Sequence, residues 1–298
     1  MTDATFSAID LSRLPAPAVV EQLSYEAIFG AMTASLLAVM PDFDASLESD
    51  PAVKILQIAA YRELLIRQHV NDAARAVMVA YAKGSDLDHL GALFGVPRLE
   101  LVPADPEADT PAVMEGDEDF RRRIILAPEA MSVAGPSGAY IAHALSADGD
   151  VLDASAASPA PAKVTVYVLS RVGDGTAAPE LLAAVTAALS DETVRPVADR
   201  LTVQSASIVQ YAVQATIKTY AGPDPVVVLA QAQARAEAYV QSHKRLGFDV
   251  TRSGLFAALH VAGVQNVVLV EPAADIVIDP SEAAHCTGIA LTNGGTDE

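Results

Sequence analysis

Residues 50–82, DPAVKILQIAAYRELLIRQHVNDAARAVMVAYA, read as one long helix with its own start and stop signals. Asp50 can accept hydrogen bonds from the first free amides. Pro51 suits the first helical position, where its missing N–H costs nothing, and Gly84 stands where a left-handed terminal cap falls. A helix of about 32 residues would run about 48 Å. A compact domain does not bury that length, so one end is expected to project or to pack against helices of another chain. Ile55, Ala59, Ile66, Ala73, Val77 and Ala80 form a stripe of small and medium side chains, interrupted by Arg62 and His69. That stripe is the expected face of an intermolecular bundle in which buried polar groups fix the register. The ordinary alternative is a solvated face held by i,i+4 pairs.

Upstream, residues 1–23 read as an extended arm, because Leu14-Pro15-Ala16-Pro17 disfavours helix and the apolar Phe6, Ile9, Leu11 and Leu14 have no helical spacing. A first helix is expected from Ser24, its cap, to Met40 before Pro41. Downstream, SDLDHLGALFG is a short helix with Ser85 and Asp88 at capping-box spacing, closed by Gly95-Val96-Pro97. Residues 24–100 thus form a helical region. Residues 101–119, rich in proline and acid, read as a flexible linker or an exposed loop. Phe120–Ala130 begins another helix with three arginines at its head.

The second half is mixed. Helices are expected at Ser137–Ala147, Pro179–Leu189 and Pro225–Leu246, the last capped by Gly247, and a short one opens at Ser253-Gly254-Leu255. Strands fall at Val151–Ala154, in KVTVYVLS where Val164, Val166 and Val168 alternate, from Leu201, over Ile208–Tyr220 and at Val267–Val270. Ser137-Gly138 plus helix plus strand is echoed by Ser253-Gly254 plus helix plus strand, which suggests an internal repeat. The expected fold class is α+β: an N-terminal arm and long helices, then two small α/β units over 120–205 and 206–298.

Composition narrows the function. Hydrophobic residues make up 51% but aromatic ones only 5%, with no Trp, so the core is built of small side chains. Against 19 basic residues stand 38 acidic ones, a net charge of −19, which argues against nucleic-acid or anionic-membrane partners that need a basic face. Cys286 is the single cysteine, which excludes an internal disulfide and a thiolate-cluster metal site. The opening MTDATFSAIDLSRLP lacks the pattern of a signal peptide, and no apolar run is long enough for a membrane span.

Catalytic motifs are not found. The paired acids Asp42/Asp44, Asp86/Asp88 and Asp117/Asp119 lie at helix boundaries or in the acidic stretch, where Asp caps and turns. The six histidines lack ligand spacing, and His285 beside Cys286 would point to the opposite face of a strand. Gly173-Asp174-Gly175 lacks the third glycine of a dinucleotide loop and reads as a turn. Arg121-Arg122-Arg123 alone could contact a phosphate, but directly after Gly116-Asp117-Glu118-Asp119 it reads as an internal or partner-facing ion-pair cluster. No catalytic, cofactor or metal residues are assigned.

The segments IDLSRLPAPAVVEQLSYEAIF, AYRELLIRQHVNDAARAVMVAYAKGSDLDHLGALFGV, DEDFRRRI, SVAGPSGAYIAHALSADG, VRPVADRLTV and CTGIALTNGGTDE resemble, almost end to end, the baseplate assembly protein J family of contractile phage tails and tail-like bacteriocins. The resemblance implies a noncatalytic wedge subunit made in the bacterial cytoplasm and built into the baseplate of a phage, bacteriocin or related injection particle. Two copies of the chain and one tail protein I family homologue would bundle their helical segments, with a small wedge-base protein as a further partner. The C-terminal portions would close a ring around the central hub and spike. Two other readings stand beside it: a soluble enzyme with a site built from the C-terminal units, and a homo-oligomeric adaptor.

Overall fold

The computed structural model describes residues 21–44, 47, 49–132, 134–222 and 224–297; all but the last three residues of the expected arm lie outside the described residues. The chain divides into two compact units. One runs up to Arg98 and takes back Gly116–Arg121; the other holds Leu99–Glu115 and the chain from Arg122 onward.

In the helical unit, α1 (Tyr25–Val39) starts where Ser24 Oγ accepts the Ala27 amide at 3.2 Å and stops before Pro41. Helix α2 (Pro51–Ala76) starts as its sequence indicates, with the Ala52 amide 2.7 Å from Asp50 Oδ1. Its far end corrects the expectation. The helix has 26 residues and stops at Ala76, so Val77 and Ala80 lie beyond it. β-Branched Val77 and Val79 are weak helix formers. The chain turns there, with Met78 N bonded to Arg75 O and Ala82 N to Met78 O. The Arg121 guanidinium stabilises that turn by donating to Val79 O at 2.6 Å and Ala82 O at 2.7 Å.

Helix α3 (Gly84–Ala92) follows, and the Ser85/Asp88 capping box is not formed. Asp88 is held instead by Arg98 at 2.8 Å, and the Gly84 amide is capped by the Asp117 carboxylate at 3.2 Å. That cap comes from 33 residues away, which no local pattern encodes.

The stretch 101–119, expected as linker or loop, is exposed over most of its length. Strand β1 (Glu100–Val102) pairs antiparallel with β2 (Val113–Met114), and Asp105 bridges Thr110, so the stretch is a hairpin. Asp105 Oδ1 closes the turn by accepting the amides of Glu107 and Ala108. Helix α4 (Asp117–Ala130) then begins three residues before Phe120, its first turn carrying Asp117, Glu118 and Asp119 as the helix dipole favours.

The first sheet follows α5 (Ser137–Ala147) and contains β3 (Val151–Ala160), β4 (Lys163–Ser170) and, after α6 (Pro179–Leu189), β5 (Arg200–Ser205). Its order is β3-β4-β5, antiparallel then parallel. Tyr140, Ile141 and Leu145 pack with Val166, Val168, Leu181, Val185 and Leu189 to form its core.

Buried Ala206 is the switch between sheets: its amide bonds to Val168 O at 2.9 Å, and the next amide, Ser207, bonds to Ser281 O at 3.1 Å. Strand β6 (Ser207–Thr219) then runs through the centre of the second sheet, order β7-β6-β8. Helix α7 (Pro225–His243) ends three residues before the expected Leu246, whose amide bonds to Asp153 Oδ2 at 3.0 Å. Helix α8 (Arg252–Leu259) leads to β7 (Val264–Glu271), antiparallel to β6, and β8 (Glu282–Thr296) lies parallel to β6 on its other side. Both sheets therefore share one pattern, antiparallel neighbour, centre, parallel neighbour. Their chain order differs: α5–β3 precedes β4–α6 in the first, whereas β6–α7 precedes α8–β7 in the second.

Candidate assembly surface

Helix α2 has two apolar sides. Val53, Ala60 and the amide-bearing Asn71 are buried, spaced at the helical repeat on the side toward α1. Asn71 donates to Glu21 O at 2.9 Å and accepts the Glu21 amide at 3.0 Å, pinning the residues before α1. Arg67 joins the same region by pairing with Glu63 at 2.7 Å and Glu21 at 2.9 Å, and these hydrogen bonds, Glu63 first, strengthen its hold on its proton.

On the opposite side Ile55, Ile58 and Ile66 are 67%, 64% and 63% exposed. Arg62, His69 and Ala73 share this exposed side and Ala59 lies half-buried at its margin. The structure thus brings six of the eight residues read as a bundle face onto one helix side and leaves out Val77, exposed, and Ala80, half-buried, which lie past the helix end. Ile58 and Leu65 were missed; both stand one helical turn from stripe positions, which was the signal available. Exposed isoleucines on one helix side, with Arg62 and His69 between them, make this side the candidate contact surface.

The three arginines have three separate partners. Arg121 pairs with Glu118 at 2.7 Å while binding the turn after α2, and Arg122 pairs with Asp153 at 2.6 Å. Arg123 pairs with Glu115 at 2.7 Å, both buried. A fourth arginine, unread in the sequence, holds Asp88 and Asp117 at 2.8 Å each and lies over the Phe120 ring: Arg98. Burial pushes Asp117 up, but the bonds from Arg98 and the Gly84 amide outweigh it and hold its carboxyl below the usual value.

Elsewhere the polar groups are held in local contacts. Burial pushes the Cys286 thiol up, so it stays protonated and a weak nucleophile. Burial and a 2.7 Å bond to Asp199 likewise raise the Tyr140 hydroxyl. The Gly173-Asp174-Gly175 segment is a turn with both glycines at positive φ, and Asp174 accepts the Thr176 amide. Among the described residues no group of three His, Cys, Asp or Glu side chains could hold a metal ion, and no helix is long and apolar enough to cross a membrane.

Three family models match in chain order: the Baseplate J-like N-terminal domain over residues 48–105, the central domain over 132–205 and the C-terminal domain over 211–292. The chain belongs to the Baseplate J-like family. It is 50% identical to baseplate protein J of Escherichia phage P2 over 97% of its own length and 99% of that protein's. Among solved structures it is similar to a chain of the anti-feeding prophage baseplate, with 17% identity, a TM-score of 0.39, and coverage of 59% of this chain and 44% of that one. This family member is a structural baseplate protein, located in the baseplate of a phage virion or tail-like particle.

Proposed function

We propose that this Baseplate J-like protein is a noncatalytic wedge subunit whose two parts divide the work of assembly. Its helical segment bundles with that of a second copy and with one tail protein I family homologue, beside a small wedge-base protein. The part carrying the two sheets, residues 120–205 and 206–298 as separate modules, joins neighbouring wedges into a ring around the central hub and spike. The observation that carries this reading is the exposed isoleucine face of α2, which lies opposite the side already packed on α1. Arg62 and His69 within that face would set the register of the bundle. The acidic surface, −19 overall, keeps the free subunit soluble until its partners arrive. Co-expression with the tail protein I homologue tests it: a stable complex of two copies to one is expected, and failure of the two proteins to co-purify under any stoichiometry refutes it.

A further inference from the structure

Each sheet has a core of its own, with Val166, Val168 and Leu181 in the first and Val213, Ile217 and Leu255 in the second. A third buried cluster lies where the two modules meet: Leu169, Ala206, Leu246 and Ala283, with Leu152, Tyr167 and Ile208 packed against it. Leu152, Tyr167 and Leu169 come from strands of the first sheet, Ile208, Leu246 and Ala283 from the second module. Gly175 lets them close up, since a Cβ there would fall 2.6 Å from Leu169 Cδ1 and 3.2 Å from Ile208 Cδ1. Three consecutive residues after α7 then fasten the seam. Lys244 Nζ donates to Gly173 O at 2.9 Å, Arg245 Nη1 to Leu152 O at 2.5 Å, and the Leu246 amide to Asp153 Oδ2 at 3.0 Å. From the first sheet, Ser155 Oγ donates to Pro280 O at 2.6 Å. Asp153 is 2% exposed and also holds Arg122 of α4, so one buried carboxylate serves α4, β3 and the end of α7.

We infer that residues 244–246 are a clasp that locks the two sheet modules into one cooperative and mechanical body, so that the sheet-bearing part moves in the baseplate as a rigid whole without a hinge at Ala206. This goes beyond the wedge reading and does not depend on it. Boundaries that hinge lie in exposed polar linkers that few contacts cross. Here the boundary residue Ala206 is 5% exposed and its amide belongs to the first sheet's ladder, bonded to Val168 O, while the next amide bonds to Ser281 O. Rotating one module against the other would break the donations of Lys244 and Arg245, open the third apolar cluster to water and leave Asp153 without the Leu246 amide. A buried carboxylate stripped of a donor is costly, so the seam resists partial opening and favours all-or-none behaviour. The chain order supplies the device: α7 leaves the second sheet, and its end returns to the first before α8 begins.

The test uses the full chain, with pulsed amide exchange at rising urea concentration reading residues 164–169 and 211–217 separately. In the wild type both sheets should lose protection at one midpoint, as parts of a single cooperative unit do. Val166→Ala, deep in the first core, should lower both midpoints together. In a Lys244→Ala, Arg245→Ala variant, which leaves both cores intact, the midpoints should part by at least about 0.5 M urea. Val166→Ala added to that variant should move the first sheet's midpoint alone. Asp153→Asn removes the charge from the other side of the seam and should part the midpoints as well, which keeps the test open if the double variant does not fold. Separate midpoints in the wild type, or a Val166→Ala change felt by the first sheet only, would overturn the inference. A common midpoint in both clasp variants would overturn the role of residues 244–246. None of these results bears on co-purification with the tail protein I homologue, so failure here and failure of the helical bundle are separately visible.

Discussion

Arg123 and Glu115 form an ion pair at 2.7 Å with side chains only 5% and 2% exposed, joining the end of the β1–β2 hairpin to helix α4. The same Glu115 carboxylate accepts the Leu99 amide at 3.3 Å, so one side chain ties both feet of the hairpin to the helix. Breaking a buried pair leaves an uncompensated charge in a low-dielectric interior, which costs about 3–5 kcal/mol. Glu115→Ala is expected to lose that much in urea unfolding of the sheet-bearing part. Glu115→Leu combined with Arg123→Met should recover most of it, because no buried charge is then left alone. A loss below about 1 kcal/mol in the single variant would mean that water reaches the pair.

Asp117 gives the helical part an acid-sensitive joint. Its carboxyl lies below the usual value, so the folded state binds its proton less readily than the unfolded chain. The stability it contributes is present above the unfolded value of about 3.9 and is lost as pH falls through the lowered folded value. Asp117→Asn should therefore cost stability at pH 7, on the order of 1 kcal/mol for a partly exposed cap. The difference from wild type should shrink as pH falls below the unfolded value of about 3.9 and vanish once Asp117 is protonated in the folded state as well. Thermal melts followed at 222 nm across that range decide it; a difference that persists at low pH would show that the carboxylate's charge is not what matters.

Charges placed on the exposed face of α2 test assembly apart from folding. Ile58→Asp and Ile66→Asp introduce charge at positions that water already reaches in the free chain, so each variant should fold with a melting temperature near that of wild type. In a bundle the same charges would be desolvated without partners, at several kcal/mol each, and co-assembly with the tail protein I homologue should fail. Ala60→Asp, on the fully buried side, is the contrast and should unfold the helical pair itself. Wild-type yields of complex from both isoleucine variants would exclude this face from the bundle.

Legibility followed the range of the interactions. Helices α5 and α6 end where their sequences say, because Pro136 and Pro179 set their starts and their apolar faces repeat at helical spacing. The strand β4 is equally plain in the alternation of Val164, Val166 and Val168. Helix α2 was read six residues too long because its stop is enforced by Arg121, whose guanidinium binds the following carbonyls from more than 35 residues away. Strand β8 gave no signal: Gly288, Asn293, Gly294 and Gly295 are turn formers, and the ladder to β6 overrides them. Gly294 is required there, since a Cβ would fall 2.7 Å from the Thr216 methyl. For the candidate assembly surface, the stripe was visible as a pattern. Its limit at Ala76 and the inclusion of Ile58 needed the structure.

The hairpin over 100–114 also moves the boundary at which the chain can be cut. Its strands are paired, but the tip from Pro106 to Ala108 is exposed and is followed by Asp109 at φ 51, a left-handed conformation that stiff side chains avoid. Limited proteolysis of the free chain should nick this tip first. A fragment beginning at Phe120 would lose Glu115 and leave Arg123 buried without its carboxylate. One beginning at Leu99 keeps the pair, the hairpin and the packing of Gly149, where an added Cβ would come within 2.9 Å of Glu100 O. The fragment 99–298 should therefore be measurably more stable than 120–298 in chemical unfolding, by roughly the 3–5 kcal/mol of a broken buried pair. Equal stability of the two would mean that the hairpin hangs on the sheet-bearing part without supporting it.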